Sequence, residues 1–213
     1  MGATLFKSDI LFLQRFLTCG GFDPKGMDGT WGPHTQRAVE KFEAASAALR
    51  ASLGSFDDRS EQHILGLHVP VQRAARRSLR ALLDAGFSVK ILSGTRTYAE
   101  QNELYALGRT KPGSIVTKAR GGASNHNFGL AWDIGLWVEG YYDGKKKPVD
   151  RALERRAAAR YVEASQVVGG LGIARLEWGG SWTRFSDPPH YQIDVGLTLL
   201  ELRQHLKSGT RYL

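Results

Sequence analysis

Two short stretches of the chain hold residue types able to do hydrolytic metal chemistry. Ser124-Asn125-His126-Asn127-Phe128-Gly129-Leu130-Ala131-Trp132-Asp133 sets a histidine and an aspartate seven positions apart, with small residues between them. Asp187-Pro188-Pro189-His190-Tyr191-Gln192 adds a second histidine and a second carboxylate. Together they offer two imidazoles and one carboxylate to Zn2+, with one carboxylate left to work beside it. Three protein ligands and an open fourth position are what a hydrolytic zinc needs.

The elements around these residues must place them. Residues 129–136 alternate as a strand, with Leu130, Trp132, Ile134 and Leu136 on one side and Gly129, Ala131, Asp133 and Gly135 on the other. Asp133 therefore stands on a nearly bare face, with room for a metal, a water and a substrate. Gly121-Gly122 reads as a flexible approach to His126. His190 to Val195 alternates as a second strand, and Pro188-Pro189 stiffens its link to Asp187. A carboxylate at Asp187 can take a proton from the attacking water and pass it to the leaving amine. Glu177 competes for that role, or anchors the site by hydrogen bonds. Arg96, just past a strand spanning Phe87–Leu92, can stabilise an oxyanion, hold a substrate carboxylate, or form a structural salt bridge. His63 and His68 lack partners at ligand spacing and read as structural.

The 213 residues suffice for one ordinary domain and a small one. The charge of +8 lies entirely in residues 61–213, so an acidic polymer fits the second part better than the first. Nucleic acid is not expected, because no aromatic platform is interleaved with the basic residues. No apolar run reaches the roughly 20 residues of a membrane span. The single cysteine, Cys19, excludes an internal disulfide and reads as a buried, inert thiol. The N-terminus lacks the pattern of a signal peptide, so synthesis in the cytoplasm is expected.

Along the chain, Ser8 is the expected cap of a first helix that Gly20-Gly21 ends. Pro33 opens a second helix to about Leu49, with Ala38, Val39, Phe42, Ala45 and Leu49 inward. Residues 55–60 read as a linker. A third helix, 71–85, turns Val71, Ala74, Ala75, Leu79, Leu82 and Leu83 inward and Arg73, Arg76, Arg77 and Arg80 mostly outward. A helix over 99–106, a polar hairpin tip over 141–148 with Lys145, Lys146 and Lys147 exposed, and a helix over 151–168 follow.

Two resemblances add to this reading. Leu13-Gln14, Gly21-Phe22-Asp23, Asp28-Gly29-Thr30-Trp31-Gly32-Pro33-His34-Thr35 and Ala38-Val39-Glu40-Lys41-Phe42 resemble the helical peptidoglycan-binding module, with Glu43 where a glutamine is usual. Ser124-x-His126-x-x-Gly129-x-Ala131-x-Asp133, with the loop Ser93-Gly94-Thr95-Arg96-Thr97, resembles the LAS-type zinc peptidases. That family includes D-alanyl-D-alanine carboxypeptidases and the L-alanyl-D-glutamate endopeptidases of phage endolysins. The second resemblance implies His126, Asp133 and His190 as zinc ligands and Arg96 on the oxyanion. Asp187 in place of a glutamate is similar to the endopeptidase branch and implies Asp187 as base. Ser181 departs from that branch, which often has an aspartate there.

The expected protein is α+β: a small, mainly antiparallel sheet with packed helices over 60–213, preceded by a small all-α module over 1–52. Its expected activity is endolysin-like cleavage of the L-alanyl–D-glutamate bond of peptidoglycan, by a monomer with no stable membrane insertion, acting on the wall after release. A D-alanyl-D-alanine carboxypeptidase on the same site, and a non-catalytic wall-binding protein, are the alternatives.

Overall fold

The computed structural model describes residues 6–138, 141–142 and 151–213. Its helices are α1 (Lys7–Cys19), α2 (Pro33–Leu53), α3 (Asp58–Leu65), α4 (Val69–Asp84), α5 (Tyr98–Ala106), α6 (Arg151–Gly169) and α7 (Leu199–Ser208). Its strands are β1 (Val89–Ser93), β2 (Ala131–Val138), β3 (Tyr141–Tyr142), β4 (Leu176–Trp178) and β5 (His190–Ile193). The sheet runs β1-β2-β5-β4 with every pairing antiparallel, and β3 pairs with the end of β2. The α+β class read from the sequence is the one observed. The expected hairpin tip and its three lysines fall largely on 143–150, outside the described residues.

Packing gathers the chain into two compact units: residues up to Ala48 with Arg96–Gly129 and Val195–Leu213, and Leu49–Thr95 with Leu130–Asp194. The second unit holds the sheet. Trp132, Ile134 and Leu136 of β2 are buried as the alternation predicts. Tyr161 of α6 is also buried and hydrogen-bonds the β2 backbone at Ile134 and Leu136. The inward residues of α4 are buried except Leu83, which is exposed.

Two expectations fail here for one reason. Residues 55–60 are not a linker, because α3 starts at Asp58, capped by the Asp57 carboxylate, which accepts the Ser60 N–H at 3.3 Å. Arg76 does not face water but is 0% exposed, forked onto Glu61 at 2.7 and 2.8 Å. Two polar residues of α3, Ser60 and Glu61, are consumed inside the fold. Glu61 also accepts the Phe56 N–H, and the Ser60 hydroxyl accepts the Ile91 N–H of β1 at 3.0 Å. A polar run hides a helix when its polar atoms meet partners that only the fold supplies.

The first unit is helical. Ser8 lies inside α1, not at its cap; the helix begins one residue earlier, and Asp9 accepts the Phe6 N–H at 3.0 Å. Phe22 and Phe16 both meet Phe42 edge-on, at 5.4 and 6.0 Å. The Gln14 side chain ties the Asp-Gly turn to α2. Its amide nitrogen donates to Asp28, the Thr30 carbonyl and the Thr35 hydroxyl, and its oxygen accepts the Gly29 N–H at 2.8 Å. Gly29 has φ 75°, and a Cβ there would lie 2.7 Å from the Lys7 carbonyl oxygen, so glycine is required. Cys19 is buried as expected, and burial pushes its thiol up to about 12. Among the described residues no helix is long and apolar enough to cross a membrane.

The Glu61–Arg76 pair generates a test. Burial alone would raise the Glu61 carboxyl, but Arg76 and the Phe56 N–H outweigh it and hold the group below its ordinary 4.5. A lowered folded value means stability that is full above 4.5 and lost as pH falls below it. Glu61→Gln leaves a buried guanidinium uncompensated and is expected to destabilise the protein by about 3 kcal/mol at neutral pH. Urea unfolding from pH 7 to pH 3 should also show a shallower acid loss in this variant than in the parent.

Candidate active site

His126 sits in a single 3-10 turn, Asn125–Phe128, closed by Gly129 in the left-handed region at φ 66°. The turn is clamped by Asn127, which is fully buried. Its Oδ1 accepts the Gly122 N–H at 2.9 Å, and its Nδ2 donates to the Arg96 carbonyl at 3.0 Å. The Arg96 N–H in turn donates to the His126 carbonyl at 3.0 Å. The glycine pair expected as a flexible approach is tightly packed instead: a Cβ on Gly121 would lie 2.6 Å from the Tyr98 carbonyl oxygen.

The loop after β1 is built by its other residues. A Cβ on Gly94 would lie 2.3 Å from the His63 carbonyl oxygen, and the Thr95 hydroxyl donates to the Gly66 carbonyl at 2.6 Å. Thr97 caps α5 in a reciprocal box with Glu100. The Arg96 guanidinium donates to Gln101 Oε1 at 2.8 Å, and the buried Gln101 is fixed by donating to the Ala119 carbonyl at 2.9 Å.

Asp133 and His190 meet through strand register. They are direct cross-strand partners of β2 and β5, and a bulge in β1 between Ile91 and Ser93 sits beside Asp133. His190 Nδ1 lies 3.1 Å from Asp133 Oδ1. The imidazole is 6% exposed and lies against Trp182, with ring centroids 5.1 Å apart. Burial draws His190 toward its neutral form, but the hydrogen bond and charge of Asp133 outweigh it, with the Asp187 charge adding; the group ends above its ordinary 6.5.

The link ahead of His190 is fixed at three points. The Trp178 indole donates to the Pro188 carbonyl at 2.7 Å. The Asp187 N–H donates to the Gly179 carbonyl at 2.9 Å, and the His190 N–H to the Asp187 carbonyl at 3.1 Å. A Cβ on Gly179 would lie 2.7 Å from the Asp187 carbonyl oxygen and 3.0 Å from His190 Cβ. The Ser181 hydroxyl donates to the Trp178 carbonyl. Glu177 does not touch the trio; it accepts the Gln192 amide at 2.7 Å.

His126, Asp133 and His190 each offer a ligand atom, and these atoms all lie within 4.8 Å of one another. The donor set fits a divalent cation. A carboxylate has only lone pairs, so the imidazole nitrogen facing it must carry a proton or share a cation with it. A tetrahedral ion with bonds of about 2.0–2.2 Å would hold its ligand atoms roughly 3.3 Å apart, close to the 3.1 Å of the Asp133–His190 pair. Asp187 stands outside the trio, near enough for its charge to reach His190.

Two buried histidines and a half-buried carboxylate, with a further carboxylate beside them, are the donor set of a metallohydrolase. A family model described as D-alanyl-D-alanine carboxypeptidase matches residues 117–193. The chain is 40% identical over 134 residues to the peptidoglycan L-alanyl-D-glutamate endopeptidase CwlK of Bacillus subtilis, a match spanning 60% of this chain and 73% of that protein. It is also similar to the crystal structure of the L-Ala D-Glu endopeptidase ChiX of Serratia marcescens, at 25% identity and a TM-score of 0.45, over 66% of this chain and 90% of that one. The chain belongs to the M15 family of metallopeptidases.

Sequence reasoning named the three residues that the fold brings together, and Asp187 near them, but passed over the residues that hold them. Asn127, Gln101 and Gln192 carry no motif signal of their own, and a buried amide announces itself only through its partners.

Two outcomes are expected. Gly179→Ala must displace the Asp187 or His190 backbone, and turnover should fall on the order of tenfold to a hundredfold while far-UV circular dichroism stays unchanged. Because the His190 value is raised, protons should compete with a metal at higher pH than at an ordinary imidazole. Calorimetric zinc titrations should therefore show affinity falling, with proton release, from a higher pH than an ordinary imidazole ligand would give.

Proposed function

We propose that this protein is a zinc peptidase that hydrolyses the L-alanyl–D-glutamate bond of the peptidoglycan stem peptide. The His126–Asp133–His190 cluster carries the reading. The bond is the one cut by the Bacillus relative, at 40% identity. Zinc suits a site with two nitrogen donors and one oxygen donor. When bound, it acidifies a water and polarises a carbonyl oxygen.

The chain's own groups do the rest. Asp187 accepts the proton of the attacking water as its oxygen bonds to the alanyl carbonyl carbon. The Arg96 guanidinium, held at one end by Gln101, faces the oxyanion that develops. Asp187 then gives the proton to the glutamyl nitrogen as the C–N bond breaks. With the water's second proton also passed to that nitrogen, a carboxylate on alanine and an ammonium group on glutamate result.

The N-terminal helices, over about 1–52, are assigned to wall binding. The residues that resemble the peptidoglycan-binding module build its turn, with Gln14 joining Asp28, Gly29 and Thr35. The protein is made in the cytoplasm and acts, as a monomer, on the wall after release.

Mass spectrometry of digested peptidoglycan names the bond. Fragments with a new glutamyl amine are expected; free D-alanine would instead identify the carboxypeptidase. Asp187→Asn should lower turnover by about 10²–10⁴-fold with zinc and wall binding retained, and lysis at the parent rate would remove Asp187 as the base.

A further inference from the structure

We propose that Gln192 is a positioning residue for the metal site: oriented by Glu177, its amide accepts the His190 Nε2–H and so leaves Nδ1, on the Asp133 side, to bind a cation. The inference rests on the metal-site reading above and concerns which imidazole atom serves it.

The geometry is a line of side chains across three strands. Glu177 of β4 is the direct partner of Gln192 in β5, and Asp133 of β2 is the direct partner of His190. His190 and Gln192 are two residues apart on β5 and share one face of the sheet. Gln192 Nε2 donates to Glu177 Oε2 at 2.7 Å, Gln192 Oε1 lies 3.0 Å from His190 Nε2, and His190 Nδ1 lies 3.1 Å from Asp133 Oδ1. Gln192 is buried at 8% exposure, and its partner across β2 is Ala131, whose side chain leaves the amide room. Part of the bare face read from the sequence is therefore filled by this amide.

The polarity of the line follows from its outer end. An ionised carboxylate only accepts. Glu177 must therefore face the amide nitrogen of Gln192, because the flipped amide would set oxygen against carboxylate oxygen. With the nitrogen turned to Glu177, the amide oxygen is turned to His190. That oxygen also only accepts, so Nε2 carries a hydrogen. The Asp133 carboxylate opposite Nδ1 only accepts too, so Nδ1 carries the second proton until a cation shared with Asp133 replaces it; the N–H that remains is then the one donated to Gln192. Metal-binding histidines gain affinity when the far nitrogen donates to a fixed acceptor, since this sets both tautomer and ring angle. Here the acceptor is an amide, and Glu177, two hydrogen bonds from His190, decides which way the amide points. Trp182, tilted against the imidazole, limits its rotation.

The test combines zinc affinity, by competition with a chelating dye, with histidine nitrogen NMR of the zinc-loaded protein, which reads the hydrogen bond made by His190 Nε2–H. Gln192→Leu should lower zinc affinity by about 10–100-fold and shift the His190 Nε2 resonance as its acceptor is lost. Glu177→Leu should shift both readouts the same way and by less. Glu177→Gln should stay near the parent, since its amide oxygen still accepts from Gln192. Thermal unfolding of each metal-free variant shows that the fold persists. Parent affinity and an unchanged Nε2–H signal in Gln192→Leu would overturn the inference and leave the metal site standing. A parent protein that takes up no zinc overturns the metal-site reading itself, and this inference with it.

Discussion

The opposition of Asp133 and His190 across β2 and β5 is the constraint on which the rest of the structure depends. Side chains on a strand alternate between faces, so one register assigns every residue of both strands at once. The register that sets Asp133 against His190 also sets Trp132 against Tyr191 on the other face, their rings stacked 5.9 Å apart and both buried. A slip by one residue would carry the aromatic pair out of the core and Asp133 and His190 into it. Burying two large rings contributes several kcal/mol, on the scale of about 1.5–3 per large apolar side chain. The packing of the hidden face therefore enforces the geometry of the chemical face.

Around that pair, backbone atoms rather than side chains do most of the holding. Gly179 and Gly94 lie where another segment's carbonyl leaves no space for a Cβ. Trp178 reaches the Pro188 carbonyl, and Asn127 reaches the Arg96 carbonyl. Groups that must keep their place to within a fraction of an ångström are tied to rigid segments, and the functional side chains project from them. Arg96 shows the division: its backbone joins the His126 turn, while its guanidinium is steadied by a buried glutamine.

The same economy governs the N-terminal helices. Leu-Gln, Asp-Gly and Thr look in sequence like a recognition motif, and in the fold they are one hydrogen-bonded turn centred on Gln14. The residues that carry the resemblance are the ones that shape the turn. Glu61 and Arg76 play a similar part in the other unit, where a buried ion pair stands among apolar side chains.

By itself the sequence singled out His126, Asp133 and His190, the neighbouring Asp187, the strand that carries Asp133 and most of the helices, because these are signalled locally by residue type and period. Its errors were local ones too: the Ser8 cap, the apparent linker before α3 and the outward Arg76 were judged without partners. Only the tertiary structure decided that 57 residues of chain close to bring Asp133 and His190 within 3.1 Å. It also decided that Glu177 reaches His190 through Gln192 and that the glycine pair before His126 is packed. Register, buried amide partners and the approach of one backbone to another are properties of distant segments brought together. No local pattern of residue types encodes them.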